Sequence, residues 1–273
     1  MFRLVASDLD GTLLNAEHRL SKRSKSCLER LHQHGIHFAF ATGRHHLDVA
    51  KLHQYVGIPA FMVTSNGACI HAPDGSVIYQ NFLDEALCAE IIALFENQPN
   101  IRVHLYNSRA WLCSDIEPLM AGQNQQTGFT PERFDIRKPP LKNILKIFVT
   151  CGDPAILEQY AHLGRQRFAD DVTLTSSGKH FLEFNAKQDS KGNALRLLAN
   201  QLNVELKHTL AFGDSMNDLS MLKAAGCSLV TSNADPRLTK AMPGLKAIGH
   251  HADDAVARYL TSYLNSELVL END

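Results

Sequence analysis

No stretch of this chain is long and apolar enough to cross a membrane. The longest, around Ile144 to Cys151, is broken by Lys146 and then Gly152, and a spanning helix needs about 20 apolar residues. A secretory leader is not expected either, because Asp8 interrupts the first apolar run before such a core could form. A cytoplasmic protein is the expectation. Charge of one sign is lacking too: 27 Lys plus Arg face 29 Asp plus Glu, a net charge of -2. No global basic field exists to hold nucleic acid or an anionic membrane, so any phosphate must be met locally. The six cysteines, at 27, 69, 88, 113, 151 and 227, form no C-x-x-C pair and read as reduced, mostly buried thiols. Repeats, low-complexity tracts and long charge runs are missing, and nothing indicates an obligate protein partner. With 44% hydrophobic and 21% charged residues, disorder is excluded as the main state.

What the chain has is alternation over 273 residues, enough for two domains at roughly 150 residues each. Phe2 to Ser7 reads as a buried strand that stops at an Asp/Gly loop. A helix capped by Ser21 follows, closed near Gly35, then strand 36–41, helix 46–56 and strand 60–64. That β-α-β-α-β series builds a doubly wound parallel sheet. Pro73-Asp74-Gly75 is turn chemistry for a hairpin. From Asp84 the order changes to helix, two short strands around Asn107-Ser108, a polar stretch at 122–128, strand 143–150, helix and two strands within 172–184. This suits an inserted α+β unit. The alternation then resumes with helix 190–203, strand 209–212, helix 216–225, strand 227–230 and a closing helix over 252–264. The fold class expected is α/β, a Rossmann-like doubly wound core over 1–83 and 186–273 with an α+β cap domain over 84–185.

Chemistry concentrates at strand ends. Asp8-Leu9-Asp10-Gly11-Thr12 closes the first strand, and carboxylates two apart on an extended segment face the same way. Thr42-Gly43-Arg44 follows the second strand with a hydroxyl and an open backbone N–H. Gly213-Asp214-Ser215-Met216-Asn217-Asp218 adds two acids and an amide, and Ser190-Lys191-Gly192 opens a helix where lysine and N–H groups can jointly hold an anion. Each signal alone is weak. Together they fall on one predicted sheet edge, where open α/β sheets bind ligands, and they suit Mg²⁺ with a phosphate. A calcium loop fails because Leu13 and Arg19 stand where glycine and glutamate are needed, and Gly178-Lys179-His180 lacks the rest of a P-loop.

In these four motifs, and in Ser65-Asn66-Gly67-Ala68, the sequence resembles the haloacid dehalogenase superfamily, and within it the Cof-like hydrolases. The likeness covers nearly the whole chain. It implies that Asp8 is a nucleophile forming an aspartyl phosphate, and that Asp10 is the general acid and base, with its acid form accessible near neutral pH. It implies Mg²⁺ held by Asp8, Asp10 through its backbone carbonyl, and Asp214, with Asp218 acting through water. The phosphoryl oxygens would be met by the N–H groups of Leu9 and Gly43, the Thr42 hydroxyl, Lys191 and Asn217. Asn185-Ala186-Lys187-Gln188-Asp189 departs from the subgroup as a more polar lead-in to the lysine motif.

A small phosphorylated metabolite is the implied partner. The overall sequence looks closest to Cof-like members that hydrolyse pyridoxal 5′-phosphate, with sugar phosphates as the broader alternative. A phosphomutase, or a regulator that binds without catalysis, would share the same core. The leaving group would be read by residues 84–185, where Tyr106, Trp111, His104, His180 and Phe181 could meet a flat ring or simply form a core. Chain crossings near 83 and 186 could act as hinges. The paired histidines, His32, His34, His37, His45, His46, His250 and His251, read as solvated surface and not as a zinc site, with His45 or His46 near the Thr42 loop.

Overall fold

The computed structural model describes residues 1–115 and 128–270, so all but the last residue of the polar stretch at 122–128 lies outside the described residues. Its strands are β1 (Leu4–Ser7), β2 (His37–Ala41), β3 (Ala60–Thr64), β4 (Cys69–His71), β5 (Val77–Gln80), β6 (Ile101–Asn107) and β7 (Trp111–Cys113). Then follow β8 (Glu132–Arg133), β9 (Ile144–Cys151), β10 (Val172–Thr175), β11 (Phe181–Ala186), β12 (Thr209–Gly213), β13 (Cys227–Val230) and β14 (Lys246–Ala247). They form two sheets, one ordered β14-β13-β12-β1-β2-β3-β4-β5 and the other β10-β11-β9-β6-β7-β8.

The first sheet is parallel from β14 to β3, with β4 and β5 added antiparallel through the Pro73-Asp74-Gly75 turn. Its central strands β12, β1, β2 and β3 are buried on both faces, as inner parallel strands must be. Successive side chains alternate between the two sides: Val5, Phe38, Phe40, Met62, Leu210 and Phe212 enter one apolar core. Leu4, Ala6, Ala39, Phe61, Val63 and Ala211 enter the other. The small residues on the second face let helix Lys191–Gln201 approach, and Ser190 caps that helix by accepting from the Asn193 N–H. The expected elements occur, with helix 216–225 divided into a short 3-10 turn and helix Leu219–Ala224. Helix Pro236–Ala241, β8 and β14 were not expected, since two to six residues are too few to display a period. Among the cysteines, Cys227 is half-buried and the other five are buried, all as free thiols.

In the second sheet, β6, β9 and β11 turn Val103, Leu105, Ile147, Val149, Leu182 and Phe184 toward helices Glu85–Ala93 and Pro154–Phe168. The opposite face looks onto the first sheet's loops. Between the sheets, Asp189 is buried and accepts hydrogen bonds from the Tyr79 hydroxyl at 2.9 Å and the Asn81 amide at 3.1 and 3.2 Å. Burial outweighs both bonds and pushes its carboxyl up to about 6. The folded state therefore holds this proton more tightly than the unfolded chain, and stability present below about pH 4 is lost as pH rises through about 6. Asp189→Asn keeps an acceptor and removes the buried charge. We expect it to raise the melting temperature at pH 7.5 by about 4 °C and to flatten the dependence between pH 4 and 6. A melting temperature below wild type would contradict the burial argument.

Candidate active site

The order β12-β1-β2-β3 brings four loops together at the carboxyl ends of adjacent parallel strands. Asp8 follows β1, Thr42 follows β2, Asn66 lies just beyond β3, and Asp214 follows β12. Gly11 has φ 77°, a left-handed conformation, and a side chain there would collide with the Asp214 carboxylate. The tight turn keeps the two acidic loops in contact. The Thr12 hydroxyl donates to Asp214 Oδ1 at 3.1 Å, and the Ser215 hydroxyl to Oδ2 at 3.2 Å.

Lys191 enters from the start of its helix, fully buried, and donates to Asp8 Oδ1 at 2.6 Å and Asp218 Oδ1 at 2.7 Å. Asp218 Oδ2 accepts the N–H groups of Asp214 and Ser215, both at 2.9 Å. Both Asp218 oxygens are thus engaged in holding the loop and the lysine. Carboxylate oxygens of Asp8, Asp214 and Asp218 lie within 4.8 Å of one another. Three acids, none more than 9% exposed, against one ammonium leave an excess of negative charge where water screens it poorly. Burial, opposed by Lys191, raises the Asp8 carboxyl well above its ordinary range. Burial and the Asp218 charge push Asp214 up to about 7. An all-oxygen donor set short of positive charge fits a hard divalent cation such as Mg²⁺. Asp8, Asp214 and Asp218 are the side chains that could hold it; the Asp10 carboxylate is not in this group.

Asp10 points away from that cluster. Arg44 grips it through Nε to Oδ2 at 2.7 Å and Nη2 to Oδ1 at 2.6 Å, while His18 Nδ1 lies 3.0 Å from Oδ1. Burial favours the acid form, but the guanidinium outweighs it and holds the carboxyl below the usual range. The accessible acid form expected of Asp10 is therefore not what this arrangement favours. Arg44 has a second anchor, since its Nη1 donates to Asp48 Oδ2 at 3.2 Å. Thr42 and Gly43 line the cleft with Asp8 and Asn217. Leu9 puts its side chain into the apolar core, so that only its backbone can face a ligand.

The cleft over these groups has a volume of about 270 Å³, and the second sheet supplies its aromatic wall: Tyr106, Trp111, Phe148 and Phe181. His104 lies behind, stacked on Phe148 at 4.4 Å, and His180 bonds to the Cys151 carbonyl. A larger neighbouring cleft of about 370 Å³ shares Asn217 and Phe181 and is lined by Lys191, but it lacks Asp8, Thr42 and Gly43; the smaller one contains all three and Asp10. Sequence reading missed Phe148, Lys146, Glu183 and Ser177 at this cleft; a charge inside an apolar strand, as at Lys146, was the available signal. The histidine reading needs correction. His45 is fully buried, stacked on His46 at 4.3 Å, with its Nε2 2.7 Å from the Asn107 carbonyl. Burial lowers His45 to about 4 and His46 to about 3, so both are neutral packing groups. The polar lead-in also has a structural use, because Asn185 Nδ2 donates to the Ser65 carbonyl at 2.8 Å.

With this geometry the chain can be compared with known proteins. A family model described as haloacid dehalogenase-like hydrolase matches residues 5–260. An HMP-PP phosphatase from Cronobacter sakazakii is 34% identical over 97% of both chains. The HMP-PP phosphatase of Escherichia coli O157:H7 is 32% identical, again over 97% of each. A haloacid dehalogenase-like hydrolase from Bacillus subtilis has a solved structure that superposes with a TM-score of 0.83 at 27% identity, covering 95% of this chain and 99% of that one. The chain belongs to the haloacid dehalogenase-like hydrolase family and is a phosphoric monoester hydrolase.

Proposed function

We propose that the chain hydrolyses small phosphate monoesters in a Mg²⁺-dependent reaction that passes through a phosphoryl group on Asp8. The observation that carries this reading is the buried meeting of Asp214 and Lys191 with Asp8, the one of the three that lines the cleft beside Thr42 and Gly43. Asp8, Asp214 and the Asp10 carbonyl would hold Mg²⁺, with Asp218 acting through water, and the ion would supply positive charge to cancel repulsion between a carboxylate and a phosphate dianion. Asp8 attacks phosphorus, and the ester oxygen leaves with a proton. Lys191, the Thr42 hydroxyl, the second N–H of the Asn217 amide and the Leu9 and Gly43 N–H groups meet the phosphoryl oxygens, where charge gathers in the transition state.

Asp10, ionised by Arg44 and His18, is suited to take a proton from the water that later frees Asp8. To deliver a proton to the leaving group first, its carboxyl must leave Arg44 and take up a proton from solvent, and Asp48 is in place to keep that guanidinium paired. We read residues 84–185 as the cap and residues 1–83 with 186–273 as the catalytic core, since the former carry the aromatic wall and the latter the acids. A flat heterocyclic phosphate suits that wall. Pyridoxal 5′-phosphate is our narrower candidate, and HMP-PP, for which the relatives are named, belongs in the same comparison.

The test is phosphate release from p-nitrophenyl phosphate, pyridoxal 5′-phosphate, HMP-PP and hexose phosphates, each with Mg²⁺ and with EDTA. Release that survives EDTA unchanged would remove the metal from the mechanism. Hexose phosphates exceeding both ring phosphates in kcat/KM would remove the heterocycle.

A further inference from the structure

Phosphoryl transfer as described has no use for Lys146 or Glu183, yet both are charged and about 2% exposed. The strand alternation that sends Ile147, Val149, Leu182 and Phe184 into the apolar core turns Lys146 on β9 and Glu183 on β11 toward the catalytic loops. Burying an ion pair gains little stability, because desolvation offsets the attraction. Their contacts give the pair another use. Lys146 Nζ is 3.4 Å from Glu183 Oε1 but only 2.6 Å from the Gly43 carbonyl, to which it donates. Glu183 accepts from Asn66 Nδ2 at 2.5 Å and from the Ser177 hydroxyl at 2.8 Å. Asn66 Oδ1 then accepts from Asn217 Nδ2 at 3.2 Å.

Direction is forced along this chain. An ionised carboxylate can only accept, so Asn66 must turn its amide nitrogen to Glu183 and its oxygen to Asn217. Asn217 must answer with its own nitrogen, the end that suits a phosphoryl oxygen. Gly43 lies in the same clasp, since a Cβ there would stand 3.0 Å from Asn66 Oδ1 and 3.4 Å from Lys146 Nζ. We infer that Lys146 and Glu183 are positioning residues: from the second sheet they fix the Gly43 peptide and the amide polarity of Asn66 and Asn217, and so aim the phosphate donors. This rests on the phosphatase reading above.

The double variant Lys146→Met/Glu183→Met removes both charges and leaves neither buried alone, so it should fold with a melting temperature close to wild type. Its kcat for p-nitrophenyl phosphate should fall about 30-fold with KM changed by less than about threefold, as expected when donors are misaimed by a fraction of an ångström. In hydrogen exchange without substrate, peptides covering 41–46 and 64–68 should lose protection while those covering β1 keep it. Lys146→Met/Glu183→Gln, closer in shape, strands no charge and retains an acceptor, but leaves the direction of Asn66 to the Asn185 oxygen 3.1 Å from its nitrogen; about a fivefold fall in kcat is expected, and this variant decides if the first one does not fold. A kcat within threefold of wild type overturns the proposal. If wild type releases no phosphate from any ester, the functional reading fails instead. The exchange arm then decides alone, with unchanged protection at 41–46 and 64–68 counting against positioning.

Discussion

Asp8→Asn is expected to fold and to lose Mg²⁺-dependent hydrolysis of p-nitrophenyl phosphate by at least about 10⁴-fold. The substitution keeps the shape of the side chain while replacing a nucleophilic carboxylate by a neutral, poorly nucleophilic amide and removing one of the three acids grouped to hold the metal. Folding should survive for a reason visible in the charge balance. Lys191 keeps Asp218 at 2.7 Å, and one of three crowded, buried carboxylates has been neutralised. In EDTA the variant should therefore melt at or above the wild-type temperature, which separates chemical loss from structural loss. Turnover near the wild-type rate would show that another group attacks phosphorus. Loss of turnover with a much lower melting temperature would show that Asp8 acts chiefly as a partner for Lys191.

How far the sequence could be read depended on how local each feature was. Strand β1 and the loop from Asp8 to Thr12 were legible because an apolar run ending in Asp-Gly carries its meaning within ten residues. So were the Ser21 cap and the Pro73-Asp74-Gly75 turn, where one side chain or one φ angle decides the backbone. The doubly wound order followed from alternation of element types, since parallel neighbours require crossovers. Features set by sheet-to-sheet contact were not legible. Nothing near Lys146 announces that its ammonium will meet the Gly43 carbonyl 103 positions away. The paired histidines 45 and 46 looked like surface because histidine is usually there, and only the covering β6–β7 turn makes His45 a buried bond to Asn107. Arg44 was legible as part of a motif, but its grip on Asp10, which sets that acid's protonation, was not.

Lys191→Met should be the most damaging single change to the fold within the site. Wild-type Lys191 is wholly buried between Asp8 at 2.6 Å and Asp218 at 2.7 Å. Without it, both carboxylates remain in the interior beside Asp214 with no cation among them. Stranding buried charges in this way costs about 3–5 kcal/mol, which for a chain of this size lowers the melting temperature by about 10 °C in EDTA. The sign of its pH dependence is diagnostic. Removing the ammonium raises the Asp8 carboxyl further above its ordinary range, so the folded variant takes up protons more readily than the unfolded chain. Its stability is then greatest at low pH and is lost as pH rises toward 7.5. The gap from wild type should narrow at pH 5.5 and also on adding Mg²⁺, because either a proton or a divalent cation between Asp8 and Asp214 relieves the same repulsion. Activity should fall by about 10³-fold even with saturating Mg²⁺, since the metal cannot replace a donor aimed at the phosphoryl oxygens. Melting within 2 °C of wild type in EDTA at pH 7.5, by scanning calorimetry, would mean that the acids do not depend on the lysine and that the charge balance argued for the cation site is wrong.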